Sequence, residues 1–270
     1  MDGILNNVND GADILSNVNG GVAVALCVVA VLICVVALFS GIISIWLGFA
    51  YYKYNRLENS AGLTGEEAAR MILDRCGLEN IKVKVTGSLM FGNSYSHYFK
   101  KVRIRRMTRN KASLTALAMG SQKAALAVLD KENDEDMEKR IKITPIIYFG
   151  PLAFIPLVAI GAAIDVVLFN SAGFVTMAVS LLALAFYALS VVFSVMTLKT
   201  EKKAQERTYE LLKENQMATY EEIVSLHKLF RLYNIQYINN IIISVLELIY
   251  YALRIFAMFS NNSSSSSSNN

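Results

Sequence analysis

Histidine is almost missing from this chain. His97 and His227 are the only two in 270 residues, and they lie in different segments. A helix-borne zinc motif of the His-Glu-x-x-His kind needs two imidazoles one turn apart, with the glutamate beside a metal-bound water as general base. No such motif can be written here. Cysteine is sparse as well. Cys27 and Cys34 sit seven residues apart in an apolar run, as packing residues, and Cys76 stands alone beside Gly77 at a helix end. These three form no disulfide framework and report no oxidising compartment. Charge is also scarce, at 18% Asp, Glu, Lys and Arg, against about a quarter in an ordinary globular domain. The first 20 residues hold Asp2, Asp10 and Asp13 but neither Lys nor Arg. They lack the basic start of a signal peptide, and the apolar run that follows is too long for one.

Apolar sequence fills the space that charge leaves. Hydrophobic residues make up 54% and the mean hydropathy is +0.40, which points to a membrane protein. Four segments are candidates for spans: 22–50, 144–169, 174–198 and 237–259. The first has no charge and exceeds the roughly 20 residues that a bilayer core demands. The second contains Pro145, Pro151, Pro156 and Asp165, the third is uncharged, and the fourth carries Glu247 and Arg254. Residues 53–142 hold 18 Lys and Arg against 11 Asp and Glu, whereas the first 20 residues and the short Asn170–Gly173 link have no basic residue. The positive-inside rule then places both termini and that link outside, with 53–143 and 199–233 in the cytoplasm. Arg254 is discordant and reaches the outer interface by snorkelling. The 1–20 head contains a short repeat, ILNNVND and ILSNVNG, and the Ser/Asn tail 260–270 reads as disordered.

The soluble stretches carry local signals. Thr64 followed by Glu67 is a capping box, and Ala68, Ala69, Met71 and Ile72 give the next helix its apolar face. Gly77 stops that helix. IKVKV then alternates like a strand and pairs with KVRIRR, Lys101–Arg106, in a small sheet with one basic face. From Ser113 a helix presents Leu114, Leu117, Ala118, Ser121, Ala125, Val128 and Leu129 as one stripe. Residues 129–140 read as a charged, solvated connector, and 200–216 as a helix rich in Glu and Lys. Thr219 with Glu222 forms a second capping box. The helix it opens has Ile223, Leu226, Leu229, Phe230 and Tyr233 on its apolar side, with His227 as a surface or packing residue.

The run AGLTGEEAARMILDRCGLENIKVKV, Ala61–Val85, resembles the opening of the soluble domain of the YugP-like membrane zinc metallopeptidases. The likeness extends over about Tyr51 to Phe256. It implies a zincin-like ancestry in which the helix at 111–130 carries the zinc motif. One register puts Met119 and Lys123 at the histidine positions and Gly120 at the base position; a shift by one puts Ala118 and Gln122 there instead. A thioether is a poor partner for zinc, an ammonium repels it, and glycine takes no proton. The resemblance also implies a third ligand just after the third span, where TLKTEKKAQER keeps Glu201 and Ala204. By itself Glu201 reads as a solvated carboxylate at a helix start, and one carboxylate does not hold a catalytic metal. NSYSHYFKKVRI keeps Tyr95 but not the acidic residues the family has there.

Arg103, Arg105, Arg106, Arg109 and Lys111 form a basic cluster. It reads as a solvated face, as a lipid-headgroup or partner contact, or as a nucleic-acid site, for which the chain shows no module. Asp165 and Glu247 are intramembrane acids, serving either an ion pathway or local hydrogen bonds. Ser40, Ser44 and Gly48 mark a close-packing face. The expected fold is mainly α, with four transmembrane helices and a small α+β cytoplasmic domain between the first two. The expected function is that of a pseudoenzyme, a membrane scaffold or regulator needing no cofactor. Its partners would be the bilayer and a protein partner or second copy, not nucleic acid. Two alternatives stand beside it. One is a peptidase with a non-standard metal site drawn from His97, Glu201 and His227; the other is a small transporter or channel built on Asp165 and Glu247.

Overall fold

A computed structural model describes residues 20–86, 92–147, 150–169 and 174–267. The protein is mainly helical. In chain order its elements are α1 (Gly20–Tyr54), α2 (Gly65–Arg75), β1 (Lys82–Thr86), β2 (Ser94–Ser96), β3 (Lys101–Arg105), α3 (Arg106–Arg109), α4 (Leu114–Lys131), α5 (Glu135–Ile147), α6 (Gly150–Ile164), α7 (Phe174–Glu214) and α8 (Tyr220–Ser267). A π-helical turn, Asp165–Phe169, extends α6. The chain divides into two compact units, one of residues 1–39, 145–192 and 240–270, the other of 40–144 and 193–239.

In the second unit, α2 begins where its capping box predicts. The Glu67 amide donates to Thr64 Oγ1, and Glu67 Oε2 accepts from the Thr64 amide at 2.9 Å. Ala68, Ala69, Ile72 and Leu73 are fully buried. Gly77 ends the helix at φ +63°, a left-handed conformation that costs glycine little. β1 and β3 do pair, in parallel, with Lys82 beside Lys101 and Lys84 beside Arg103. β2 runs antiparallel on the other edge of β3. The expected basic face therefore exists, and its reverse side sends Val102 and Ile104 into the core with α2 and α4.

α4 departs from the one-stripe expectation. Every residue from Leu114 to Leu129 is buried, so the helix is a central post rather than a surface helix. α2 lies directly against it: a Cβ on Gly120 would sit 2.2 Å from the Gly65 carbonyl oxygen. Small residues such as Ala116, Ala118, Gly120 and Ala124 let neighbours approach from several directions, and this hides the stripe.

The connector after α4 is not simply solvated. Asp134 and Asp136 both accept from Lys203 of α7, at 2.7 and 2.5 Å, and Glu132 pairs with Arg207 at 2.9 Å. α7 and α8 are longer than the expected segments, at 41 and 48 residues, with no break at 198–199 or 233–237. Neither contains Gly or Pro to interrupt it, and extending a helix costs less than nucleating one. For the same reason the backbone of the tail expected to be disordered is helical as far as Ser267. The second capping box forms: Glu222 Oε2 accepts from the Thr219 amide at 2.8 Å, and the Glu222 amide donates to Thr219 Oγ1.

Three helices among the described residues are long and apolar enough to cross a membrane, within α1, α7 and α8. α1 leaves Val24, Phe39, Trp46 and Phe49 more than 60% exposed, a surface suited to lipid rather than water. The expected second span, 144–169, falls on the end of α5, on α6 and on the π turn. α6 has 15 residues, and 148–149 lie outside the described residues, as do the 1–19 head and the 170–173 link.

Candidate functional site

The charged centre of the second unit is Glu201. It is 3% exposed, on the part of α7 that packs against α4, so the solvated carboxylate expected from sequence is corrected. Lys123 Nζ, itself almost fully buried, donates to Glu201 Oε2 at 2.6 Å, and Gln122 Nε2 donates to the same oxygen at 2.9 Å. Arg140 of α5 approaches Oε1 at 3.4 Å and donates to Thr200 Oγ1 at 2.7 Å. A carboxylate leaves water at a cost of several kcal/mol unless paired and hydrogen-bonded. Here two cations and an amide meet it.

This geometry tests the expected motif positions. Gln122 and Lys123 both contact Glu201 and border one cavity with Met119. Gly120 turns instead toward Gly65, and its position has no room for a glutamate side chain. The register with Gly120 as base therefore fails sterically on this backbone. Of its three positions, Lys123 contacts Glu201 and Met119 borders the adjoining cavity. Gln122, reached only by the shifted register, touches Glu201 directly. Arg140, at the end of the expected solvated connector, is instead a partner of Glu201; its signal is its nearness to the start of an apolar segment, where an arginine needs a partner.

The remaining candidates lie apart from one another. His97 Nδ1 is 2.7 Å from Asp130 Oδ2, and Tyr95 donates to the same oxygen. Burial and that carboxylate raise the Tyr95 pKa. His227 stacks on Tyr209 with ring centroids 3.8 Å apart. Among the described residues no three of His, Cys, Asp and Glu form a group able to hold a metal, so His97, Glu201 and His227 do not converge. The basic cluster also splits. Arg109 binds Glu66, Arg103, Arg106 and Lys111 are exposed, and Arg105 is half-buried at the cavity wall.

In the first unit the two acids have local partners. Asp165 accepts from the amides of Val175 and Thr176, at 3.0 and 2.7 Å, and from the Thr176 hydroxyl at 2.6 Å. It caps the free amides at the start of α7. Glu247 accepts from the Tyr187 hydroxyl. In the expected close-packing row, Gly48 has nothing within 4 Å of a built Cβ. Ser40 and Ser44 instead bond to Gln236 of α8, at 3.2 and 3.3 Å.

The cavity that Lys123 borders has a volume of about 410 Å³. Leu47, Gly48 and Tyr51 of α1 form one wall, and Tyr233 and Tyr237 of α8 another.

A family model described as "Putative neutral zinc metallopeptidase" matches residues 29–256. The chain belongs to this family. A relative, the "Putative membrane protease YugP" of Bacillus subtilis (strain 168), is 26% identical over 219 residues, covering 78% of this chain and 90% of that protein. No solved structure matches. Membership raises the question of zinc at Glu201. The two side chains nearest its carboxylate are an ammonium and an amide N–H, neither of which donates an electron pair to a cation. The residues present do not fit the metal.

Proposed function

We propose that this chain is a catalytically inactive member of its family, a multi-pass membrane protein that acts by binding. One observation carries the reading: Lys123 Nζ lies 2.6 Å from Glu201, occupying the acceptor that a metal would need. Among the described residues no histidine or further carboxylate joins it in a group able to hold a metal. The topology proposed with it has four spans, the second made by 144–169, both termini outside and residues 53–143 and 199–233 in the cytoplasm. The charge distribution supports this arrangement. The lipid-suited surface of α1 and the membrane location that the relative's name carries support membrane insertion itself. The bound partner is a membrane protein or a second copy of the chain. Neither alternative function gains support: the ligands of a non-standard metal site lie apart, and Asp165 and Glu247 are engaged in local hydrogen bonds.

The test is zinc content by mass spectrometry on the full-length protein in detergent, with Glu201→Ala alongside. The expected result is no stoichiometric zinc in either protein and no peptide hydrolysis sensitive to chelators. About one zinc per chain, lost in Glu201→Ala and accompanied by chelator-sensitive hydrolysis, would overturn the proposal.

A further inference from the structure

We infer that the cavity bordered by Arg105 and Lys123 binds the phosphate of an anionic phospholipid. The charge balance comes first. Lys123 and Arg140 both pair with Glu201, so two cations meet one carboxylate and a full positive charge is left over. Arg105 adds another at the cavity wall, where its Nε is buried with no hydrogen-bond partner. No Asp or Glu is among the described residues that line the space. A surplus of positive charge drawn partly out of water is costly unless an anion offsets it. The Arg105 guanidinium and the Gln122 amide belong to lining residues that carry N–H donors, and Tyr51, Tyr233 and Tyr237 line the same space.

Position selects the source of the phosphate, and this step rests on the reading that α1 crosses the membrane. Leu47, Gly48 and Tyr51 belong to the last turns of a stretch with no charge from Val22 to Tyr52, just before Lys53. On α8, Tyr233 and Tyr237 follow Arg231 and open an uncharged stretch that lasts until Glu247. Both walls therefore pass from polar to apolar at the cavity. Headgroups lie at that depth in a bilayer, and tyrosine gathers there. The volume of about 410 Å³ lies within the usual range for small-ligand pockets, enough for a phosphate with its glycerol. The apolar wall of α1 then receives the start of the acyl chains.

Native mass spectrometry tests this on the full-length protein in neutral detergent, offered equal amounts of phosphatidylglycerol and phosphatidylcholine. Wild type is expected to retain one phosphatidylglycerol in preference to phosphatidylcholine. Arg105→Gln should lower that retention about tenfold, as loss of one charge-assisted contact does. Gly48→Leu projects into open space, so it fills the cavity without a clash and should also lose the lipid; it decides the matter if Arg105→Gln does not fold. Excess inorganic phosphate should leave the lipid in place. Equal retention of both lipids, or unchanged retention in both variants, would overturn the site. Displacement by inorganic phosphate would overturn the lipid as its ligand. Zinc measured on the same samples reports separately on the loss of catalysis.

Discussion

At the scale of single residues, the pairing of Glu201 dominates. Lys123→Met leaves the buried carboxylate with fewer partners, and breaking a buried pair from one side typically costs about 3–5 kcal/mol. Arg140 and Gln122 remain, so a loss near 3 kcal/mol is expected, read as a lower unfolding midpoint in detergent. Lys123→Met with Glu201→Gln removes both charges and should recover most of that loss. A double variant no better than the single would mean that the pair was not the source of the effect. The α2 cap is a milder case. Thr64→Ala should cost about 1 kcal/mol. Hydrogen bonds from the Thr64 amide, and then its hydroxyl, hold the Glu67 carboxyl below its ordinary pKa. A depressed pKa adds stability above about pH 4.3, the unfolded value, and loses it as pH falls through the lower folded value. Wild type and Glu67→Gln should therefore differ in thermal midpoint at pH 6 and converge in acid.

Among the elements, α4 shows what a single sequence reveals and what it hides. α2, β1 and β3 were legible because their signals are local: a capping box, a glycine stop and two-residue alternation. The buried post was not. An Ala-rich helix covered on all sides keeps Thr115, Gln122 and Lys123 inside, and on sequence those residues fall outside its apolar stripe. The partner of Lys123 lies in α7, and nothing near position 123 announces it. The same non-locality defeated the motif register, which the Gly65–Gly120 contact corrects. Gly120→Ala should strongly destabilise the second unit, because its Cβ meets backbone that cannot rotate away. Helical spacing places Leu126 one turn beyond Gln122, and position 123 faces Glu201. Gln122→His, Lys123→Glu and Leu126→His together should bring zinc binding to about one per chain, whereas Met119→His, Gly120→Glu and Lys123→His should not fold. Metal analysis and size-exclusion profiles distinguish the two sets.

At the scale of the whole molecule, the membrane arrangement rests on charge and hydropathy, features spread along the chain and readable without contacts. That is why the long apolar helices were foreseen while their uninterrupted lengths were not. The proposed orientation predicts thiol accessibility. In a background without native cysteine, Glu79→Cys should react with an impermeant maleimide only after the cells are permeabilised, and Ser265→Cys should react in intact cells. The reverse pattern would invert the topology and place the basic sheet face outside.

The ammonium that neutralises Glu201 is covalently part of the chain. A dissociable ion stabilises a fold by mass action, so its contribution varies with free concentration and vanishes when supply fails. Lys123 arrives with each ribosomal product in fixed one-to-one ratio with its acceptor. The charge that faces this carboxylate therefore does not vary with the supply of any free ion.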